Sequence, residues 1–367
     1  MKAWMVAACA AFTFAPAWAQ ILIGQTAGFS GVAEAGVKET SNGAKLWIDH
    51  VNAKGGVNGQ KIEIIALDDA FDPKKAVANA KVLIEEKNVV ALFLNRGTPH
   101  TEGVMPLLEK YGVPLVAPST GAMSLHQPVN KWIFNVRATY QREAEKAVEY
   151  LSTVGITRIA VLHTDDSFGA DGLEGAKKGF TKAKLEPTII IKTDRNKPDF
   201  AQIIPAVTRT DPQALVWIAS GNAVADGVKA LRKAGSAAQV VTLSNNASGG
   251  FIKSLGDSSR GVIVTQVFPY ERSIAYPMVK EARDLARAKG SDDISPAMLE
   301  GYAAAKVLVE ALRRCSPPVT REKLQKALES MQHFDLGGLE VSYSPTDHTG
   351  LDFADLSIIG VEGKFRR

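Results

Sequence analysis

NGAKLWIDHVNAKGGVNGQKIEIIALDDAFDPKKAVANA, residues 42–80, decides how this chain folds. Val37, Ala44, Trp47, Ile48 and Val51 recur at helical spacing, which predicts an amphipathic helix over Val37–Val51 with one buried face. A glycine-rich turn follows, then an apolar strand over Ile62–Leu67 that ends in Asp68 and Asp69. Asp72-Pro73 opens a second helix, with an N-cap carboxylate and a proline at the first helical position, where no N–H is needed. Helix, strand, helix is the repeating unit of an α/β fold. No side chain in this stretch is placed to do chemistry.

The alternation continues on both sides. Apolar runs at Ile21–Gly24, Val89–Leu94, Pro114–Ala117, Ile159–Leu162, Thr188–Ile191, Ala214–Ile218, Val240–Leu243 and Val262–Val267 are separated by amphipathic stretches. This pattern predicts doubly wound parallel sheets with helices on both faces. The series restarts near Thr139, so two similar lobes are expected, facing each other across one cleft. Helices then come in succession around Ala282–Ala288, Met298–Arg313 and Arg321–Met331, followed by strand-like pieces at Leu339–Tyr343 and Leu356–Val361. Having no sheet of their own, these late elements are expected to return and complete the earlier lobes.

The N-terminus reads as an export signal: Lys2, an apolar run to Phe14, then Ala17-Trp18-Ala19, which predicts cleavage before Gln20. The run is well short of the roughly 20 apolar residues that span a bilayer. A lipoprotein reading at Cys9 leaves almost no apolar core before the cysteine. With 43 basic and 39 acidic residues interspersed, the chain lacks the clustered basic face of a nucleic-acid binder. Cys9 leaves with the signal, so Cys315 has no intramolecular partner and is expected to be buried.

The six histidines show no metal-ligand spacing, and His50 and His348 read as solvated surface. His163, Asp165 and Ser167 share one loop, but such neighbours rarely point at one another, and no GxSxG elbow occurs. Asp68, Asp69 and Asp72 lack calcium-loop spacing, and Gly24, Gly28 and Gly31 lack phosphate-loop spacing. The strongest constellation is Asn95-Arg96-Gly97-Thr98-Pro99, directly after an apolar strand. Gly97 lets the backbone turn, Thr98 offers a hydroxyl, and the helix opened by Pro99 turns its first N–H groups toward the cleft beyond the strand ends. That equipment suits a carboxylate, with Arg96 adding a bidentate contact. The alternative is that Thr98 only caps its helix and Arg96 pairs with a surface acid. Ser119 and Thr120 end the next strand with two more hydroxyls.

GFSG at residues 28–31, NGAKLWIDHVNAKGGVNG at 42–59, LDDAFDPKKAV at 67–77, GVPLVAPSTG at 112–121 and GYAAAKVLVEAL at 301–312 occur in one order. In these strings the chain resembles the type I periplasmic solute-binding proteins, the Leu/Ile/Val-binding family of ABC importers. The resemblance implies two Rossmann-like lobes joined by three hinge crossovers. Lobe 1 would hold residues 20–137 and 269–341, and lobe 2 residues 138–268 and 342–367. It implies a ligand trapped by hinge closure, and delivery to an inner-membrane ABC permease. Thr98, Ser119 and Thr120 would then meet a ligand carboxylate, Phe168, Asn222 and Asn245 would contribute from the second lobe, and Tyr140 and Gln266 would lie near the hinge.

One departure bears on the cargo. Amino-acid binders of the family place an acid in the second lobe against the ligand's ammonium group, and here that stretch reads Ser244-Asn245-Asn246-Ala247. An amide cannot neutralise a buried cation. A branched-chain amino acid-like ligand, an aromatic or keto carboxylate, or an amide are the cargo classes left open. A monomeric periplasmic binding protein without cofactor, metal or enzymatic activity is expected, the alternatives being a ligand sensor for a membrane receptor and a periplasmic hydrolase.

Overall fold

Parallel pairing of the first strand with the strand inside the quoted stretch, Ile21 opposite Ile62 through Ala27 opposite Asp68, starts the first sheet. The computed structural model describes residues 20–291 and 293–367; the export signal lies outside the described residues. The first part of the chain runs β1 (Ile21–Ala27), α1 (Glu34–Ala53), β2 (Ile62–Asp68), α2 (Pro73–Glu85), β3 (Ala91–Phe93), α3 (Thr98–Tyr111), β4 (Leu115–Val116) and β5 (Ile133–Phe134). Its strands lie in the order β2-β1-β3-β4-β5, all parallel.

The chain then crosses to a second sheet. Here run α4 (Tyr140–Thr153), β6 (Ile159–Thr164), α5 (Ser167–Ala183), β7 (Ile190–Thr193), α6 (Phe200–Thr208), β8 (Ala214–Ile218), α7 (Gly221–Lys233), β9 (Gln239–Thr242), α8 (Gly249–Leu255) and β10 (Ile263–Gln266). β6 and β8 are buried at every residue, as expected of parallel strands covered on both faces. The remainder is α9 (Pro277–Ala288), α10 (Pro296–Arg314), α11 (Arg321–Glu329), β11 (Phe334–Asp335), β12 (Glu340–Val341), β13 (Asp355–Ile359) and β14 (Phe365–Arg366). β13 and β14 extend the second sheet antiparallel, giving β14-β13-β10-β9-β8-β6-β7.

The alternating pattern reflects this architecture, and the differences from expectation are local. β5 and β14 are two-residue strands too short to register as apolar runs. The strand-like piece at Leu339–Tyr343 joins neither large sheet: β12 pairs with β11 in a separate ribbon, while Val341 and Tyr343 sink into the first lobe's core. His348, expected on the surface, is buried, stacked 4.0 Å from Phe134, with Nδ1 2.8 Å from the Ile133 carbonyl. His50 is half-buried against Trp47 rather than fully solvated.

Local chemistry explains the elements that frame the cleft. Asp72 caps α2 by accepting from the Lys74 and Lys75 amides. Asp68 accepts from the Ser30 amide and hydroxyl, which ties the loop after β1 to the end of β2. α1 buries Ala44, Ile48 and Val51 in the core it shares with α10. Where those helices cross, a Cβ on Gly43 would run into the Met298 carbonyl, and one on Gly301 into the Thr40 carbonyl. At the first crossing between sheets, buried Arg137 pairs with buried Glu143, which also accepts from the Ser244 amide at 2.8 Å and from Thr265 Oγ1.

Candidate functional site

Beyond the carboxyl ends of both sheets, between the lobes, lies a cavity of about 210 Å³. The first lobe lines it with the start of α1, Phe71 and Arg96 to Thr98; the second with Tyr140, Phe168, Arg195, Asn245 and the starts of α7 and α8. Seven of the described α-helices carry a side-chain N-cap, such as Asp72 on α2 and Asp166 on α5. α1, α3 and α7, capped by Ala33, Gly97 and Ser220, do not, and all three begin at the cavity. α9 is the other described α-helix without one, and its cap residue is not a lining residue. First-turn amides without a capping side chain, backed by helix dipoles, make three donor groups aimed where an anion would sit.

Arg96 lines this space and is buried. Its Nη1 donates to Ser119 Oγ at 2.7 Å, and its Nη2 donates across the cleft to the Asn245 carbonyl at 2.7 Å. Ser119 Oγ in turn donates to buried Glu300 at 2.6 Å. Thr98, the first residue of α3, shares a 2.8 Å hydroxyl contact with Thr120. Of the residues singled out in the sequence, Arg96, Thr98, Tyr140, Phe168, Asn222 and Asn245 line the cavity. Ser119, Thr120 and Gln266 do not: the first two stand behind Arg96 and Thr98, and Gln266 turns its amide onto the Val264 carbonyl.

The second lobe supplies aromatic walls. Tyr140 meets Phe168 edge-on at 4.8 Å, with the Arg137 guanidinium 4.6 Å above the Tyr140 ring. Asn245 Nδ2 donates to the Ala219 carbonyl at 3.1 Å, leaving Oδ1 buried without a partner. Arg195 pairs through Nε with Asp166. Burial alone would raise the Asp166 carboxyl, but the hydrogen bond and charge of Arg195 hold it below its ordinary value. Among the lining residues the single carboxylate is Glu34, which is exposed and engaged by Lys38.

Three residues that sequence reasoning did not select, Phe71, Arg195 and Phe251, also line the cavity. Phe71 stands in the DDAFDP string and Arg195 follows β7; applying the strand-end rule to every parallel strand, β2 and β7 included, would have found both. Phe71 stacks 4.4 Å from His100, whose pKa burial lowers to about 4. The nucleophile set imagined on the β6 loop does not assemble. His163 Nδ1 lies 3.0 Å from the Thr164 carbonyl, and Ser167 Oγ donates to Glu102 of the other lobe at 2.6 Å. A further cross-cleft contact joins Glu39 of α1 to the Gly249 and Gly250 amides at 3.0 and 2.9 Å.

A family model described as periplasmic binding protein matches residues 20–354. The chain belongs to that family. It is 25% identical over 299 residues to the Leu/Ile/Val-binding protein of Escherichia coli K12, covering 81% of this chain and 80% of that one. A substrate-binding periplasmic protein from Ralstonia solanacearum superposes with a TM-score of 0.86 at 31% identity, covering 94% of this chain and 99% of its own. A possible leucine/isoleucine/valine-binding protein from Rhodopirellula baltica SH 1 gives a TM-score of 0.88 at 25% identity, covering 95% and 96%. This family member therefore has the type I periplasmic binding fold, and its relatives are solute-binding proteins rather than enzymes. No helix among its described residues is long and apolar enough to cross a membrane.

Proposed function

We propose that the chain is the periplasmic solute-binding component of an ABC importer and that its cargo is a small aromatic or keto carboxylate without an α-amine. The observation that carries this reading is the charge of the cavity: Arg96 and three helix starts without side-chain caps face it, while its one lining carboxylate is exposed and already paired. An anion gains from that field. An ammonium group would enter it without a countercharge, and Asn245 Oδ1 offers only a neutral acceptor.

Size supports the same class. An apolar cavity of about 150 Å³ holds benzene, so about 210 Å³ leaves room for a ring with small substituents. Phe71, Tyr140, Phe168 and Phe251 supply faces for such a ring. The ligand would touch both lobes only when the cleft is closed, so binding selects the closed form, the form a permease would receive.

Thermal-shift and calorimetric titrations with benzoate, phenylpyruvate and leucine test the proposal. A ring or keto acid is expected to raise the melting temperature more than leucine at equal concentration; leucine winning outright would sink it.

A further inference from the structure

Arg195 is the cavity cation that recognition of a single carboxylate leaves unused. It follows β7, the edge strand of the second sheet, whereas Arg96 is pinned to the carbonyl of Asn245, which follows β9. β6 and β8 lie between β7 and β9. Three strand intervals of about 4.8 Å therefore separate the two attachment points by roughly 14 Å along the sheet edge. Both arginines line one cavity, so they reach it from attachment points well apart along the sheet edge.

The setting of Arg195 is built. Its guanidinium lies 5.3 Å from the Phe71 ring centre and 5.9 Å from that of Phe168, one ring from each lobe. Asp166 grips Nε and is itself held by Thr164 Oγ1 at 2.9 Å and the Gly169 amide at 3.0 Å. Nη2 is buried with no hydrogen-bond partner, an uncommon state for a donor in a folded protein. The two arginines also differ in charge balance. Arg96 makes no direct ion pair: it donates to the Asn245 carbonyl and to the Ser119 hydroxyl, which relays it to buried Glu300, so a cargo carboxylate would be its first direct ionic partner. Arg195 is already balanced by Asp166, so a neutral oxygen suffices there.

We infer that Arg195 donates to a second oxygen-bearing group of the ligand, away from its carboxylate, which makes the cargo a hydroxylated aromatic carboxylate. This rests on the carboxylate reading above and adds a second point of recognition. Asp166 is the positioning residue that fixes the guanidinium between the two rings.

Calorimetric dissociation constants for benzoate, 3-hydroxybenzoate and 4-hydroxybenzoate, measured on the native protein, Arg195→Met and Arg195→Gln, test it. The native protein is expected to prefer one hydroxylated acid over benzoate by about tenfold. That ratio should fall to about twofold or less in Arg195→Met and recover in part in Arg195→Gln, which keeps a donor. If Arg195→Met does not fold, the fall in ratio in Arg195→Gln carries the comparison. Equal affinity for all three acids in the native protein, or a preference that survives in the variants, overturns the role of Arg195 while leaving the carboxylate reading standing. Binding of leucine with no binding of any ring acid overturns both.

Discussion

Arg96 divides its donors between the two lobes, one toward Ser119 and one toward the Asn245 carbonyl, while lining the cavity. Replacing it with methionine removes a charged donor of the kind worth roughly 1.5–3 kcal/mol. Calorimetry of Arg96→Met should therefore show affinity for the best ring or keto acid reduced by about tenfold to a hundredfold. Arg96→Lys should recover little, because a point charge lacks the planar fork. Arg96 and Thr98 were legible because a helix start directly after an apolar strand has one orientation in a parallel sheet. Phe71 and His348 were not, because only packing reveals that one turns toward the cleft and the other beneath Phe134. A second residue bears on pH dependence. Glu271 is buried with Oε2 unpartnered, and burial pushes its pKa up from 4.5 to about 7, with Arg272 and Arg283 opposing that rise and Asp293 adding to it. Between those values the folded state holds a proton that the unfolded chain has lost. The contribution of Glu271 to stability is thus complete below about pH 4.5 and is lost as pH rises through about 7. Urea melts should find Glu271→Gln close to the native protein at pH 5 and more stable by on the order of 3 kcal/mol at pH 8.

At the scale of elements, α1 and α10 cross through Gly43 and Gly301, each facing a carbonyl of the other helix. Two of the strings behind the family resemblance are thus the two sides of one contact, both read from sequence without any sign that they touch. An alanine at either position must part the helices. Gly43→Ala is expected to destabilise the fold by about 3 kcal/mol or more, at the upper end of overpacking costs, visible as a lowered melting temperature. Strand existence was legible wherever four or more apolar residues ran together. β5 was not, since Ile133 and Phe134 become a strand only by pairing with β4. The β11–β12 ribbon was misread because its pairing is set by the turn at Gly337 and Gly338, whose amides are held by Asp335.

For the whole molecule, bonds that no ligand makes join the two lobes. Glu39 reaches the Gly249 and Gly250 amides, and Glu102 reaches Ser167. Under the hinge closure proposed above, removing such a bond would lower the closed population and, with it, apparent affinity. Glu39→Ala is expected to weaken binding by about tenfold, matching the loss of charged hydrogen bonds, and small-angle scattering should show a more expanded unliganded form. If affinity is unchanged, Glu39 does not bias closure. The Arg96 bond to Asn245 has a different consequence. Separating the lobes must break it, and that frees a donor on the same guanidinium proposed to grip the cargo. Grip and gate then share one side chain, so the protein cannot loosen one without straining the other. Cargo dissociation should accordingly follow the hinge clock, with the off-rate of different ligands tracking a common rate of lobe separation.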